Sequence, residues 1–288
     1  MSDVRDGRPN PAAGVTCQVC GGRDIYVYTQ DPVNVFLRCR DCGLVTNGSQ
    51  FDEAELQEDH YDTADYFVEY EKRWKRKVFS QGRRIDMALH YVPDAENLLD
   101  LGCSVGTCLE AARRRDLFAV GIDISAYAVE YCHERGYDAQ VGTGTEIDLD
   151  DESMDLVTAW NIVEHVPRTA EIMTEIRRVL RPGGVCAMLL PNANYIKARM
   201  WPHTFKFFHT GDGSVHEHQV YHTHHTITTV LERCGFERLP RPVFIRPRLR
   251  HPLSALAEIL EFLPRLAINA LRRVTYLEKD LLVIARAV

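Results

Sequence analysis

Four cysteines stand in two Cys-x-x-Cys pairs, Cys17 with Cys20 and Cys39 with Cys42, and 18 residues separate the pairs. Each pair is followed by a glycine, Gly21 or Gly43, which lets the chain turn tightly enough for both thiolates to face one ion. Four thiolates suit tetrahedral zinc, so Cys17, Cys20, Cys39 and Cys42 are the expected ligands of a structural site. The chain has nine cysteines and a polar N-terminus without an apolar signal segment. A disulfide framework is therefore not expected, and the remaining five read as small core residues. A second concentration of chemistry lies further along, where seven of the 12 histidines fall between Pro202 and Thr226.

Between the cysteine pairs, Asp24–Thr29 and Asn34–Arg38 read as two short strands about a Gln30-Asp31-Pro32 turn, which makes a zinc ribbon of residues 13–47. A fragment of that size buries too little to fold by itself, and the metal is expected to supply much of its stability. From Tyr91 the pattern changes to alternating strand and helix. Strands are expected at 97–101, 118–123, 155–160 and 185–190, with helices beginning at Thr107, Ala126 and Thr169. Such alternation implies an α/β, Rossmann-like doubly wound sheet with its ligand at the carboxyl ends of the strands.

The first strand runs into Asp100-Leu-Gly102-Cys-Ser-Val-Gly106, whose glycines allow the backbone to approach a ligand. Seventeen residues after Gly106 the second strand ends in Asp123, placed to accept both hydroxyls of a ribose. The loop is GxSxG, where a pyrophosphate-binding fingerprint would read GxGxxG, so a nucleoside cofactor without a pyrophosphate is expected.

Across about residues 91–237 the segments DLGCSVGT, GIDIS, DDESMDLVTAWNIVEHVP and LRPGGVCAMLLPN occur in this order. The sequence resembles the class I S-adenosylmethionine-dependent methyltransferases. The resemblance implies that Asp100, Gly102 and Gly106 attend the methionine portion, that Asp123 holds the ribose and that Ile124 packs on adenine. It also implies that Asn161 lies beside the sulfonium. Ser104 stands where the family often has a middle glycine, and Thr143 where many members have an adenine-binding aspartate, so that contact passes to Thr145, Glu146 or backbone amides.

Methyl transfer from a sulfonium is a direct displacement, so the protein aligns the partners and removes a proton where the acceptor requires it. The stretch His216-Glu217-His218-Gln-Val-Tyr221 resembles the HEHxxY segment of deoxysugar C-methyltransferases, which also carry an N-terminal four-cysteine module. That resemblance implies His218 as the base, assisted by Glu217 and Tyr221; Val215 stands where those enzymes have a tyrosine. The alternative is that His218 only orients its loop. His165 is a further candidate, and His216 with His218, or His222 with His225, has the spacing to chelate a second ion, although no carboxylate-rich set accompanies them.

The elements that must position these residues divide the chain into a tail (1–12), the ribbon (13–47), a helical linker or cap (48–90) and the methyltransferase domain (91–288). Within the last lie a histidine-rich substrate insertion (192–226) and an amphipathic helix (252–274). In the cap, Tyr61, Tyr66, Phe67, Tyr70 and Trp74 precede or flank a basic run. They either cover the sulfonium as a lid or pack on the sheet with the lysines exposed. Net charge is 0, −13 and +6 over residues 1–50, 51–237 and 238–288. That distribution disfavours nucleic acid as a partner and leaves the basic tail able to touch a membrane surface.

The expected function is methylation, at carbon or oxygen, of a small polar metabolite such as a sugar nucleotide, a natural-product intermediate or a polysaccharide precursor. The expected cofactors are S-adenosyl-L-methionine and structural zinc, the expected location is the cytoplasm, and a homo-oligomer is compatible with the broad apolar tail. The rivals are an RNA methyltransferase and a non-catalytic binding protein that keeps the fold.

Overall fold

The computed structural model describes residues 4–5, 8–9, 11–49, 72–195, 199–200, 217–240 and 279–288. The cap aromatics Tyr61, Tyr66, Phe67 and Tyr70, the histidines His203, His209 and His216, Val215 and the expected helix at 252–274 lie outside the described residues. No helix of the described residues is long and apolar enough to cross a membrane.

Two sheets carry the fold. The larger contains β4 (Asn97–Leu101), β5 (Phe118–Asp123), β6 (Asp138–Val141), β7 (Met154–Trp160), β8 (Leu180–Pro191), β10 (Phe236–Leu239) and β11 (Asp280–Ala287). Their spatial order is β10-β11-β8-β7-β4-β5-β6. The strands from β8 to β6 run parallel, whereas β11 is antiparallel to β8 and to β10. Chain order reverses at β4, which lies between β7 and β5, and such a switch point opens a crevice at the carboxyl ends of the strands. The last strand of the chain is internal to the sheet: β11 lies between β8 and β10.

Alternating side chains explain why helices cover both faces. Leu98 of β4, Leu156 of β7 and Leu282 and Ile284 of β11 pack with Val78, Ile85 and Ala88 of α1 (Trp74–Leu89) and with Ala111 and Ala112 of α2 (Thr107–Arg113). Their neighbours Leu99, Val157 and Val283 face the other way, onto Ile172 and Ile176 of α4 (Thr169–Val179) and Ile227 and Leu231 of α5 (His224–Arg233). Helix α3 (Ala126–Glu134) is capped by the Ser125 side chain, which accepts from Ala128 N. It packs Val129 and Cys132 beside β6.

The smaller sheet is the ribbon. Strands β1 (Ile25–Gln30) and β2 (Val35–Cys39) form the expected hairpin, and β3 (Val45–Asn47) continues it. A fourth strand, β9 (Val220–Tyr221), comes from the far end of the histidine-rich segment and pairs Val220 with Thr46 and Tyr221 with Val45. The ribbon is thus sutured to the cofactor domain. Cys17, Val19, Cys39 and Leu44 belong to the same core as α4 and α5, Arg38 donates to Asn194 Oδ1 at 2.8 Å, and Gln18 donates to the Pro167 carbonyl at 2.8 Å.

Directly after β9 the chain is locked again. His222 is fully buried, with its Nε2 2.9 Å from Thr169 Oγ1 and its Nδ1 3.2 Å from Thr226 Oγ1. Thr223 and Thr226 cap α5 reciprocally. Burial pushes the His222 imidazole down to about 3 from its ordinary 6.5. The folded chain therefore binds this proton more weakly than the unfolded chain, so stability present above pH 6.5 is lost as pH falls toward about 3. Thermal unfolding followed between those limits is expected to show a midpoint that drops with pH, and His222→Asn is expected to shallow that dependence.

Candidate functional site

At the switch point the carboxyl ends of β4, β5 and β7 open into a cavity of about 1050 Å³. Asp100 on β4 is 2 % exposed, and its carboxyl accepts from Thr158 Oγ1 at 2.6 Å. Burial pushes it up to about 7, against the opposing pull of Thr158. Asp123 ends β5 and accepts from Ser104 N at 2.8 Å and Ser125 N at 3.0 Å. Burial raises this carboxyl too, and the two amides hold it down. Each oxygen keeps a lone pair for a ligand hydroxyl.

Within the loop between these acids, Gly102 is the position that resists a side chain. A Cβ on Gly102, which has φ +69°, would stand 2.0 Å from Ile162 Cδ1. Ser104 adopts φ +48°, which explains why a glycine would be at ease there. Its Oγ, like Trp160 Nε1, is buried with no hydrogen-bond partner among the described residues, and both residues line the cavity. Those orphaned polar atoms and the glycine-only approach fit an adenosyl amino acid. Ile124 is 39 % exposed and lines the cavity with Gly142, Thr143 and Thr145, so an adenine ring has an apolar face and a backbone edge to meet.

Gly106 does not line the cavity; with φ +76° it begins α2 against Tyr137 and Cys132. It bends the loop into the helix. Glu146 is likewise absent from the lining. Lys77 and Arg84, on one face of α1, enter the same cavity as Asp100, and the Arg84 guanidinium lies 5.0 Å from the Trp160 ring centroid. An α-amino-acid zwitterion needs one anionic and two-pronged cationic partners, and this end supplies both. Burial, with Arg73, Arg84 and Arg76 nearby, lowers Lys77 to about 8.

The other wall is built by the histidine segment. Asn161 ends β7 in a left-handed conformation (φ +63°), and its Nδ2 donates to Glu164 Oε1 at 3.1 Å. A 3₁₀ turn, Val163–His165, follows. Gln219 N donates to the Glu164 carbonyl at 2.7 Å, and Gln219's own carbonyl accepts from Asn47 N of β3 at 2.8 Å. This ladder sets His218 beside His165, with ring centroids 4.9 Å apart, and puts His218 Nε2 4.0 Å from Glu164 Oε1. Glu217, His218 and His165 line the cavity together with Asn47 of the ribbon and Ser49 just beyond it.

Tyr221 is fully buried, edge-on to Phe36 of β2 at 5.9 Å, and is not part of the cavity wall. Burial pushes its phenol far above the ordinary value. Its ring lies 5.5 Å from that of His218, edge-on, where it can position the imidazole. Both ring nitrogens of His222 are engaged, with Thr169 and Thr226, so the spacing of His222 and His225 does not make a chelate. Glu164, which the sequence reading passed over, is entirely buried, and burial pushes its carboxyl up to about 8.

The four cysteine sulfurs converge as their spacing required. Cys17 Sγ is 3.5 Å from Cys42 Sγ, Cys20 Sγ is 3.6 Å from Cys39 Sγ, and all four lie within 4.8 Å of one another. Thiolates at about 2.3 Å from a zinc ion form a tetrahedron with edges of about 3.8 Å, so the cluster fits such an ion.

Comparison with known proteins agrees with the crevice. The methyltransferase-domain family matches residues 99–188. A 27-O-demethylrifamycin SV methyltransferase of Amycolatopsis mediterranei is 33 % identical over 102 residues, 32 % of this chain and 38 % of that protein. A probable S-adenosylmethionine-dependent methyltransferase of Mycolicibacterium smegmatis is 30 % identical over 148 residues, 49 % of this chain and 52 % of that one. The chain thus spans about half or less of these curated relatives. The fold is shared with a SAM-dependent methyltransferase from Archaeoglobus fulgidus at TM-score 0.51 and 19 % identity, covering 77 % of this chain and 99 % of that chain.

Asp100 must be ionised to face an ammonium group, and burial pushes its carboxyl up to about 7. Calorimetric affinity for S-adenosylhomocysteine is expected to weaken by up to about tenfold per pH unit below that value. Asp100→Asn is expected to bind more weakly and to flatten the dependence.

Proposed function

We propose, from the premise that this chain carries a class I S-adenosylmethionine-dependent methyltransferase domain, that it methylates a small polar metabolite at oxygen or carbon. The acceptor class is a sugar nucleotide, a natural-product intermediate or a polysaccharide precursor. The observation that carries this reading is the wall opposite the cofactor acids: His165, His218 and Glu217 close one side, and Asn47 of the ribbon and the neighbouring Ser49 reach the same cavity. That wall is polar and confined, suited to a hydroxylated molecule of modest size. The name of the rifamycin relative also describes a small natural-product acceptor. The −13 balance of residues 51–237 repels a polyanion such as RNA.

S-adenosylmethionine supplies the sulfonium-activated methyl group. Asp123 and Ile124 hold its nucleoside, and Asp100 with Lys77 and Arg84 holds the amino-acid end; Asn161 leaves the β7 end toward the reacting side. The acceptor's nucleophilic atom is activated at the Glu164–His165–His218 corner. Zinc in the four-cysteine cluster keeps the ribbon folded, and the ribbon, through β3, keeps β9 and His218 in register.

Two outcomes follow. With isotope-labelled methyl donor and a cell extract, label is expected in the small-molecule fraction. His218→Ala is expected to lower that transfer by about 10²-fold or more while leaving S-adenosylhomocysteine affinity unchanged. Label in RNA, or full transfer by the variant, contradicts the reading. Removing zinc with a chelator, or Cys39→Ser, is expected to speed hydrogen exchange at Val220 and Tyr221 as well as within the ribbon; unchanged protection at Val220 and Tyr221 while the ribbon loses its own would contradict the coupling.

A further inference from the structure

We infer that Glu164, His165 and His218 form a second metal centre, holding a divalent first-row transition cation whose open face looks into the methyl-acceptor side of the cavity. The inference rests on the proposed methyl transfer for its purpose, and on geometry for its existence. Among the described residues, one ligand atom from each of the three lies within 4.8 Å of the others. His165 and His218 line the cavity, whereas Glu164 is 0 % exposed behind them. Two imidazoles and a carboxylate are a donor set for zinc, iron(II), cobalt or manganese, and three protein ligands leave positions for a substrate oxygen.

Three features separate this corner from a chance cluster. Glu164 Oε2 is buried with no hydrogen-bond partner among the described residues, and the nearest imidazole nitrogen to its other oxygen, His218 Nε2, is 4.0 Å away. A carboxyl group withdrawn from water in this way needs a cation or a proton. Second, the first ligands are themselves held. Asn161 Nδ2 donates to Glu164 Oε1, and the ring of His165 hydrogen-bonds the Glu217 backbone. Outer partners of this kind orient metal ligands in known sites. Third, the one pair distance resolved is near coordination geometry, with all three donors within 4.8 Å of one another. Donors at about 2.0–2.2 Å from one ion stand about 3–3.6 Å apart, so His218 has to close on Glu164 by less than about 1 Å.

The centre gives the corner a chemical role. An acceptor hydroxyl or enol binds the cation as its oxyanion and releases its proton to water. The acceptor oxygen, or the carbon conjugated with it, then forms its bond to the methyl as the methyl–sulfur bond breaks, leaving S-adenosylhomocysteine. In this arrangement His218 is a ligand, and the cation lowers the acceptor's pKa in place of a free imidazole base.

The test uses the full chain with its ribbon loaded with zinc, titrated with Co²⁺ alone. Weak visible d–d bands without a thiolate charge-transfer band are expected, saturating at about one equivalent per chain. Glu164→Gln and His218→Ala are each expected to weaken Co²⁺ binding by about tenfold or more. Unchanged S-adenosylhomocysteine affinity reports that each variant is folded. No d–d bands up to millimolar Co²⁺, bands with thiolate character only, or undiminished binding in both folded variants would overturn the centre. Co²⁺ binding with label recovered only in RNA would leave the centre standing and remove the small-metabolite reading. Transfer to small molecules without any Co²⁺ site would do the reverse, returning the proton to His218.

Discussion

The arrangement depends on a short backbone ladder in which Asn47 N donates to the Gln219 carbonyl and Gln219 N donates to the Glu164 carbonyl. One residue thereby joins the ribbon to the turn after β7. Strand β9 extends the join by two pairs, and the buried Tyr221–Phe36 contact fills the space beneath it. Hydrogen bonds inside a protein are expensive to leave unmade, so the histidine wall holds its place only while the ribbon holds its own. In a fragment of this size, that obligation falls on the four cysteines.

On the facing wall the same physics is applied to charge. Asp100 and Asp123 are withdrawn from water, and both carboxyls are raised by that burial. Backbone amides from the loop and from the start of α3 steady Asp123, and Thr158 steadies Asp100. A ligand carrying hydroxyls and an ammonium group completes what the protein leaves unfinished. Lys77 and Arg84 add the opposite sign at the amino-acid end. The cavity is therefore polar at both ends for different reasons, with buried acids facing Lys77 and Arg84 on one wall and the Glu164–His165–His218 corner on the other.

How much of this was legible in the sequence follows from the range of each interaction. Strands β4, β5 and β7 are apolar runs bounded by turns, and the four-cysteine pairing is a local spacing, so both could be read directly. Strand β6 is Asp138-Ala-Gln-Val at a sheet edge, too short and too mixed to show a period. The pairing of Val220 with Thr46 joins positions far apart in the chain, and nothing local in Val220-Tyr221 announces it. The basic run ending at Lys77 looked like a solvated face. The spacing of Lys77 and Arg84, seven residues and about two helical turns, was the available sign that both face one cavity. Glu164 sits in full view in the NIVEHVP segment, but its complete burial is a property of the assembled wall and of no residue pattern.

The most direct test of the central claim is a crystal structure of the full chain with S-adenosylhomocysteine. The account predicts ribose hydroxyls on Asp123, the amino-acid end between Asp100 and Arg84, and the sulfur directed across the cavity toward His165 and His218. A sulfur turned away from that wall, or a nucleoside lodged against the ribbon, would contradict it.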